Sequence, residues 1–210
     1  MSWRIAAFAG GLAALWIAVA SPVSHLDHHL LTAHMVQHLL LMLVAAPLIL
    51  LGVGPSLRRP SRPNLVVCWL AGSLTVIVWH VPAIFELALS SPFWHSFEHA
   101  SFFVAGIVFW WPAIRFGSET QSWSIPIYLF LATLPCDALS AFLAFCNHVV
   151  YAPYSSLGHR HSGLSPLDDQ ALAGALMWVT VTFAYLIPAL LLTARLLSGE
   201  RRYAARSSVS

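Results

Sequence analysis

The chain has 210 residues, of which 59% are hydrophobic and only 9% are charged. Soluble domains carry about 25% charged residues, so this chain has too few charges to cover the surface of a water-soluble fold. All ten basic residues are Arg, the formal net charge is +2, and no basic cluster has the length of a nucleic-acid-binding tract. We therefore expect an integral membrane protein that contacts the lipid bilayer and binds no nucleic acid.

Six apolar segments follow one another along the chain, each close to the ~20 residues that a helix needs to cross the hydrocarbon layer. They cover residues 4–20, 34–52, 64–80, 94–114, 125–146 and 171–197. Because lipid offers no partner for backbone polar groups, each segment is predicted to be helical. The predicted fold class is all-α: a polytopic transmembrane bundle of six spans that forms a single integral-membrane domain over residues 1–210.

The boundaries of these segments carry residues that interrupt or begin helices. Pro55 follows the second segment and Pro82 follows the third. Before the last segment, Ser165 and Asp168 have the spacing of a capping box, with Pro166 at the first helical position. The last helix is therefore predicted to begin at Pro166.

The arginines predict the orientation of the chain. Nine of the ten precede the first segment, follow the last one, or lie in the loops after the second and fourth segments. These nine are Arg4, Arg58, Arg59, Arg62, Arg115, Arg195, Arg201, Arg202 and Arg206, whereas only Arg160 lies in an alternate loop. Positive residues remain on the cytoplasmic side, so both termini are predicted to be cytoplasmic.

The first segment has an alternative interpretation. Ala18-Val19-Ala20 follows a short apolar run and resembles the cleavage site of a signal peptide. Cleavage there would leave five spans with unchanged orientation, and the N-terminal sequence of the mature protein would decide between the two.

All eleven histidines fall on the outer side of the membrane in this topology, opposite the arginines. His34 and His38 share one helix face through their i, i+4 spacing, and His95 and His99 repeat the pattern. His80 ends the third segment at the same depth. Imidazole is the commonest metal ligand among side chains and suits zinc and copper. We predict that His34, His38, His80, His95 and His99 form a metal site.

Other residues are predicted to support this site. Glu98 either orients a neighbouring imidazole or pairs with another helix. Asp169, at the first turn of the last helix, is predicted to reach the site, and Met177 on the same face adds a soft ligand. The remaining histidines are interpreted as interfacial groups that bond to water, headgroups and loop carbonyls: His25, His28, His29, His148, His159 and His161. Cys68, Cys136 and Cys146 show no C-x-x-C spacing, so no thiolate clip is predicted.

Five short motifs occur in one order along nearly the whole chain. They are His34-Met-Val-Gln-His38, Trp79-His80-x-Pro82, His95-x-x-Glu98-His99, Phe109-Trp-Trp-Pro112 and Ser165-Pro-Leu-Asp-Asp-Gln170-x-x-Ala-Gly174-x-x-Met177-Trp178. This ordered set resembles the integral-membrane cytochrome c oxidase assembly factor family of the CtaG type, which is linked to caa-type oxidases. The stretch Cys146-Asn147-His148 departs from the pattern of that family, so no family role is assigned to His148.

The resemblance implies an assembly factor for a haem–copper oxidase, without catalytic activity, in the bacterial plasma (inner) membrane. It implies copper as the metal that the histidine cluster binds or delivers, and oxidase subunits or copper chaperones as partners. A copper or other metal transporter is the first alternative, with Asp137 as the acidic residue inside a span. A b-type haem protein with ligands such as His38 and His99 is a further alternative. The last is an intramembrane metalloprotease, because residues 95–99 match H-x-x-E-H.

Overall fold

The computed structural model describes residues 2–21, 23–54, 63–116, 122–155 and 163–207, and no strand occurs among them. The prediction of an all-α fold is confirmed. The helices of this part of the chain are α1 (Ser2–Ala20), α2 (Val23–Leu26), α3 (Leu31–Leu39), α4 (Ala46–Val53), α5 (Leu65–Trp79), α6 (Pro82–Ser90), α7 (Pro92–Phe116), α8 (Ser124–Phe145) and α9 (Pro166–Ser207). A π-helical segment, Leu40–Ala45, joins α3 to α4, and a 3₁₀ turn covers Ala152–Tyr154.

Five stretches of helix are long and apolar enough to cross a membrane. They are Ser2–Leu26, Leu31–Val53, Pro92–Phe116, Ser124–Phe145 and Pro166–Ser198. The helices α5 and α6 form a sixth candidate only as a pair, because the chain bends by 78° between them. The protein is thus a multi-pass membrane protein with five to six candidate spans, in agreement with the predicted bundle.

The bend between α5 and α6 has a local cause in the sequence. Pro82 begins α6, and a proline disfavours helical geometry at the residue before it. Val81 accordingly has an extended conformation, with ψ of 125°. The third apolar segment therefore ends at Trp79, and His80 caps the helix at the point where the chain turns.

The predicted start of the last helix is confirmed. The Ser165 hydroxyl accepts a hydrogen bond from the Asp168 amide at 3.1 Å and donates one to Asp168 Oδ2 at 2.6 Å. These bonds occupy a backbone donor that the first turn of any helix leaves without an intrahelical partner.

Small residues bring the helix backbones close together. A Cβ atom at Gly174 of α9 would lie 2.6 Å from the Ala144 amide nitrogen and 2.8 Å from the Ser140 carbonyl oxygen of α8. At Gly11 of α1 it would lie 2.7 Å from the Ile49 side chain of α4. Close approach at small residues is typical of helix packing in membranes, where dispersion contacts replace the hydrophobic effect. Large side chains such as Phe130, Phe183 and Leu190 remain exposed on the outer faces of the bundle, as lipid contact requires.

Candidate metal centre

The five histidines predicted to form a metal site lie together. His34 and His38 of α3 have ring centroids 4.4 Å apart, and His95 and His99 of α7 have centroids 4.3 Å apart. The two pairs face each other, with 5.6 Å between the centroids of His34 and His95 and 5.9 Å between those of His38 and His99. The ring of His80, at the bend after α5, lies 6.0 Å from that of His38. Two helices and the turn after α5 thus contribute imidazoles to one cluster.

Glu98 lies at the centre of this cluster rather than at its edge. Its side chain is fully buried, and its Oε1 atom lies 3.4 Å from His34 Nε2 and 3.3 Å from His38 Nε2. Within the described part of the chain, the groups that contact this carboxylate and can carry positive charge are imidazoles. A buried carboxylate is costly unless a cation neutralises it. The site is therefore neutralised by a proton, on the carboxylate or on an imidazole, or by a bound metal ion.

Three sets of donor atoms have the dimensions of a metal site. The atoms of each set lie within 4.8 Å of one another, and the sets are Asp27, His34 and His95; His34, His38 and Glu98; and His95, Glu98 and His99. Two ligands on opposite sides of one ion lie about 4 Å apart, given bonds of about 2.0–2.1 Å. Because the sets share His34, His95 and Glu98, they form one continuous group of ligands. Imidazole with carboxylate suits Cu(II) and Zn(II).

Unsatisfied polar atoms in this region also fit a metal ion. Buried polar groups almost always have a hydrogen-bond partner. Among the described residues, several buried atoms of the cluster have neither a hydrogen bond nor one of the ion pairs given above or below: His34 Nδ1, His38 Nδ1, Glu98 Oε2 and His99 Nε2. With these atoms in one place, the cluster could hold a cation.

Asp27 is a member of the cluster that the sequence analysis missed. It follows α2, is fully buried, and places Oδ2 3.3 Å from His95 Nε2 and Oδ1 3.8 Å from His28 Nε2. The Tyr154 hydroxyl donates a hydrogen bond to the Asp27 carbonyl oxygen and so anchors this loop. A signal was present in the sequence, because Asp27 is the one acidic residue in a loop that also holds His25, His28 and His29.

Asp169 reaches the neighbourhood of the site, but its carboxylate is used to hold a helix. Oδ2 accepts a hydrogen bond from the Leu31 amide at 2.7 Å, and Oδ1 accepts from the Thr32 amide at 3.2 Å and the Thr32 hydroxyl at 2.6 Å. These bonds cap the N-terminus of α3, three residues before His34. Asp169 thereby positions the helix that carries the first histidine pair.

Met177 lies on the wall of a small cavity beside His38 and His80.

The histidines that were interpreted as interfacial divide into several groups. His25 is exposed and His148 contacts Cys146, with 3.3 Å between Nδ1 and Sγ. His28 is half-exposed at the rim of the cluster, with its ring 5.1 Å from that of His95. His159 and His161 lie outside the described residues.

A second, larger cavity leads to the cluster from the side. It lies between α1 and α7, has a volume of about 450 Å³ and is lined in part by His95 and His99. Leu15, Val19 and Phe103 form its apolar walls. The outer pair of imidazoles is therefore accessible through a gap between two helices.

Comparison with known proteins agrees with the motif order. The sequence model of the cytochrome c oxidase caa3 assembly factor family (Caa3_CtaG) matches residues 1–198. No curated protein and no solved structure matches the chain. Because the match covers the spans and every described member of the cluster, the chain belongs to the cytochrome c oxidase caa3 assembly factor family.

Proposed function

We propose that this protein assists assembly of a caa3-type oxidase in the bacterial plasma membrane by binding copper and delivering it on the outer side. The observation that carries the proposal is the buried Glu98 carboxylate, which lies within 3.4 Å of two imidazole nitrogens and has one oxygen without a hydrogen-bond partner among the described residues. Oxidase subunits or a copper chaperone would be its partners. The role requires ligand exchange and no catalytic step.

Copper is favoured over zinc by two considerations. The imidazole and carboxylate ligands accept either ion, but the methionine sulfur of Met35 lies 3.3 Å from His80 Nε2 at the edge of the cluster. Thioethers favour copper, as Cu(I), over zinc. A haem–copper oxidase must also acquire copper during its assembly, which agrees with the role of the family.

Delivery at one side of the membrane is favoured over transport across it. His95 and His99 line the cavity that opens between α1 and α7, which leaves a route for a partner to approach the ion. On the other side of the cluster, the cavity beside His38 and His80 is far smaller, at about 20 Å³, and its walls include Leu39, Leu43 and Val181 besides sulfur-containing side chains. A continuous path of polar groups would be expected in a transporter.

The test is metal analysis of the purified full-length protein and of two variants. Wild type should retain copper, with the optical and paramagnetic spectra of a nitrogen- and oxygen-ligated Cu(II) ion. His34→Ala/His38→Ala and Glu98→Gln should each lower Cu(II) affinity at least tenfold, because removal of one good ligand from a metal site typically costs that much or more. His25→Ala is the matched control, since it removes an exposed imidazole on the same side of the membrane.

The same variants should be expressed in cells that lack the native protein and produce a caa3-type oxidase. We expect His34→Ala/His38→Ala to yield oxidase with reduced copper content and activity, and His25→Ala to restore both. Wild-type protein that binds no copper, together with full oxidase activity in the His34→Ala/His38→Ala cells, would refute the proposal.

A further inference from the structure

A small cavity beside the histidine cluster is lined by four sulfur-containing side chains. It has a volume of about 20 Å³, which is room for one water-sized species. The sequence contains four methionines, and all of them except Met1 line this one cavity. Its polar and sulfur-containing walls are formed by Met35, Met42, Met177, Cys136, His38 and His80. These side chains come from four helical elements and from the turn after α5, and all of them are buried.

His80 presents an unprotonated nitrogen to this cavity. Its Nδ1 atom lies 2.7 Å from the Val76 carbonyl oxygen, which can only accept, so Nδ1 carries the proton. In a neutral imidazole the other nitrogen, Nε2, then holds a lone pair. The Tyr151 hydroxyl donates a hydrogen bond to the His80 carbonyl oxygen at 3.1 Å and fixes the backbone of the same residue. The imidazole is therefore held in one tautomer and one orientation, as metal-ligating histidines usually are.

The lone pair of His80 points toward a thioether. Its Nε2 atom lies 3.3 Å from Met35 Sδ, and neither atom has a proton to share with the other. Two ligands of a tetrahedral ion would lie about 3.5 Å apart, given bonds of about 2.0 Å to nitrogen and 2.3 Å to sulfur. This pair thus has the separation of two ligands of one ion.

We propose that this cavity is a second copper site, selective for Cu(I), in which His80 and the thioethers of Met35, Met42 and Met177 are the ligands. Thioether and neutral imidazole are soft, uncharged ligands that suit a monovalent soft ion. The carboxylate that favours a divalent ion, Glu98, belongs to the other group of ligands. Cys136 adds a thiol to the cavity wall.

His38 links the two sites. It lines the sulfur cavity, and its Nε2 atom also lies 3.3 Å from Glu98 Oε1. His38 therefore lies between the two groups of ligands and contacts both. This inference rests on the proposed function, since it assigns to the same copper pathway a second position and an oxidation state.

The test compares Cu(I) and Cu(II) binding by the purified full-length protein. Cu(I) affinity is measured without oxygen by competition with bicinchoninate, and Ag(I) serves as a redox-inert substitute. Met35→Leu/Met177→Leu should lower Cu(I) and Ag(I) affinity at least tenfold and change Cu(II) affinity less than twofold. Glu98→Gln is the complementary variant. It should lower Cu(II) affinity at least tenfold and keep Cu(I) affinity within twofold of wild type.

Met-to-Leu exchange conserves volume and is well tolerated in cores. If the double variant does not fold, Met177→Leu alone replaces it in the Cu(I) and Ag(I) titrations. X-ray absorption of the Cu(I)-loaded wild type should show sulfur at about 2.3 Å. The second site would be overturned by unchanged Cu(I) affinity in the methionine variants. It would equally be overturned by purely nitrogen and oxygen ligation in that spectrum, or by loss of Cu(I) binding in Glu98→Gln. Failure of the proposed function would appear differently, as oxidase assembly that does not depend on His34 and His38.

Discussion

At the scale of single residues, the last helix positions the first histidine pair through one carboxylate. Both oxygens of Asp169 accept hydrogen bonds from the first turn of α3, and the side chain is buried. Capping interactions contribute about 1 kcal/mol, and hydrogen bonds to a charged group about 1.5–3 kcal/mol. The neighbouring Asp168 is exposed and bonds only within its own helix start, to Ser165. Two adjacent aspartates thus have different roles.

We expect Asp169→Ala to lower the free energy of unfolding by about 2–3 kcal/mol, because it leaves buried amides of α3 without an acceptor. The variant should also bind copper more weakly, since His34 and His38 lose their fixed helix start. Asp168→Ala is the control and should cost at most about 1 kcal/mol. Thermal unfolding in detergent and copper titration measure both effects. Equal losses of unfolding free energy and of copper affinity in the two variants would contradict the assigned role of Asp169.

At the scale of elements, the helix that follows His38 is locally wider than an α-helix. The π segment covers Leu40–Ala45, and the indole nitrogen of Trp110 donates a hydrogen bond to the Met42 carbonyl oxygen within it at 3.0 Å. Gly106 of α7 lies against the same turn. Interruptions of this kind frequently occur at functional sites. Here the π segment changes the direction of side chains immediately after the histidine pair.

Gly106→Ala should disturb this contact. Its Cβ would lie 2.9 Å from Ala46 Cβ and 3.0 Å from the Cα and carbonyl oxygen of Met42, so backbone must move. We expect a loss of about 1–3 kcal/mol in the free energy of unfolding. At Gly10 the new Cβ would meet only Leu48 Cδ1, at 3.6 Å. Gly10→Ala should therefore be neutral or stabilising by up to about 1 kcal/mol, because alanine favours helix.

The two glycine variants should be compared by thermal unfolding and by Cu(I) titration. Gly106→Ala should also weaken Cu(I) binding, because Met42 lines the sulfur cavity. A neutral result for Gly106→Ala in both measurements would show that the π segment tolerates displacement.

At the scale of the whole molecule, the α5–α6 pair decides how many times the chain crosses the membrane. The Trp79 indole donates a hydrogen bond to Ser101 Oγ at 2.7 Å, and Gly72 packs against Phe109. The helix α5 therefore runs antiparallel to α7 and ends beside the histidine cluster, at His80. Its 15 residues rise about 22 Å at 1.5 Å per residue, which is most of the ~30 Å hydrocarbon layer. This length supports a short sixth span.

Six spans would place both termini on the same side, and the arginine distribution predicts that this side is the cytoplasm. Fusions of a fluorescent protein to either end should be fluorescent, whereas alkaline phosphatase fused at either end should be inactive. A fusion in the outer loop that contains Arg160 should give the reverse pattern. Termini on opposite sides would instead show that an odd number of helices crosses the membrane and would contradict six spans.

Local sequence patterns predict the spans, the histidine pairs and the end of α5. Apolar length predicts the spans, since each must cross the hydrocarbon layer alone. The i, i+4 spacing fixes each histidine pair on one face, and Pro82 ends α5 beside His80, because both effects act within one or two helical turns. The motif order predicts the family.

Only the tertiary structure decided which side chains meet across helices. Glu98 lies at the centre of the cluster because the rotation of α7 directs its side chain toward α3. Asp169 instead accepts hydrogen bonds from the amides at the start of α3. The burial of Asp27 depends on how its loop folds over His95. The sulfur cavity joins Met35 and Met177, which are 142 positions apart in the sequence. Helix rotation and crossing arise from packing along whole surfaces, so residue spacing within one segment does not contain them.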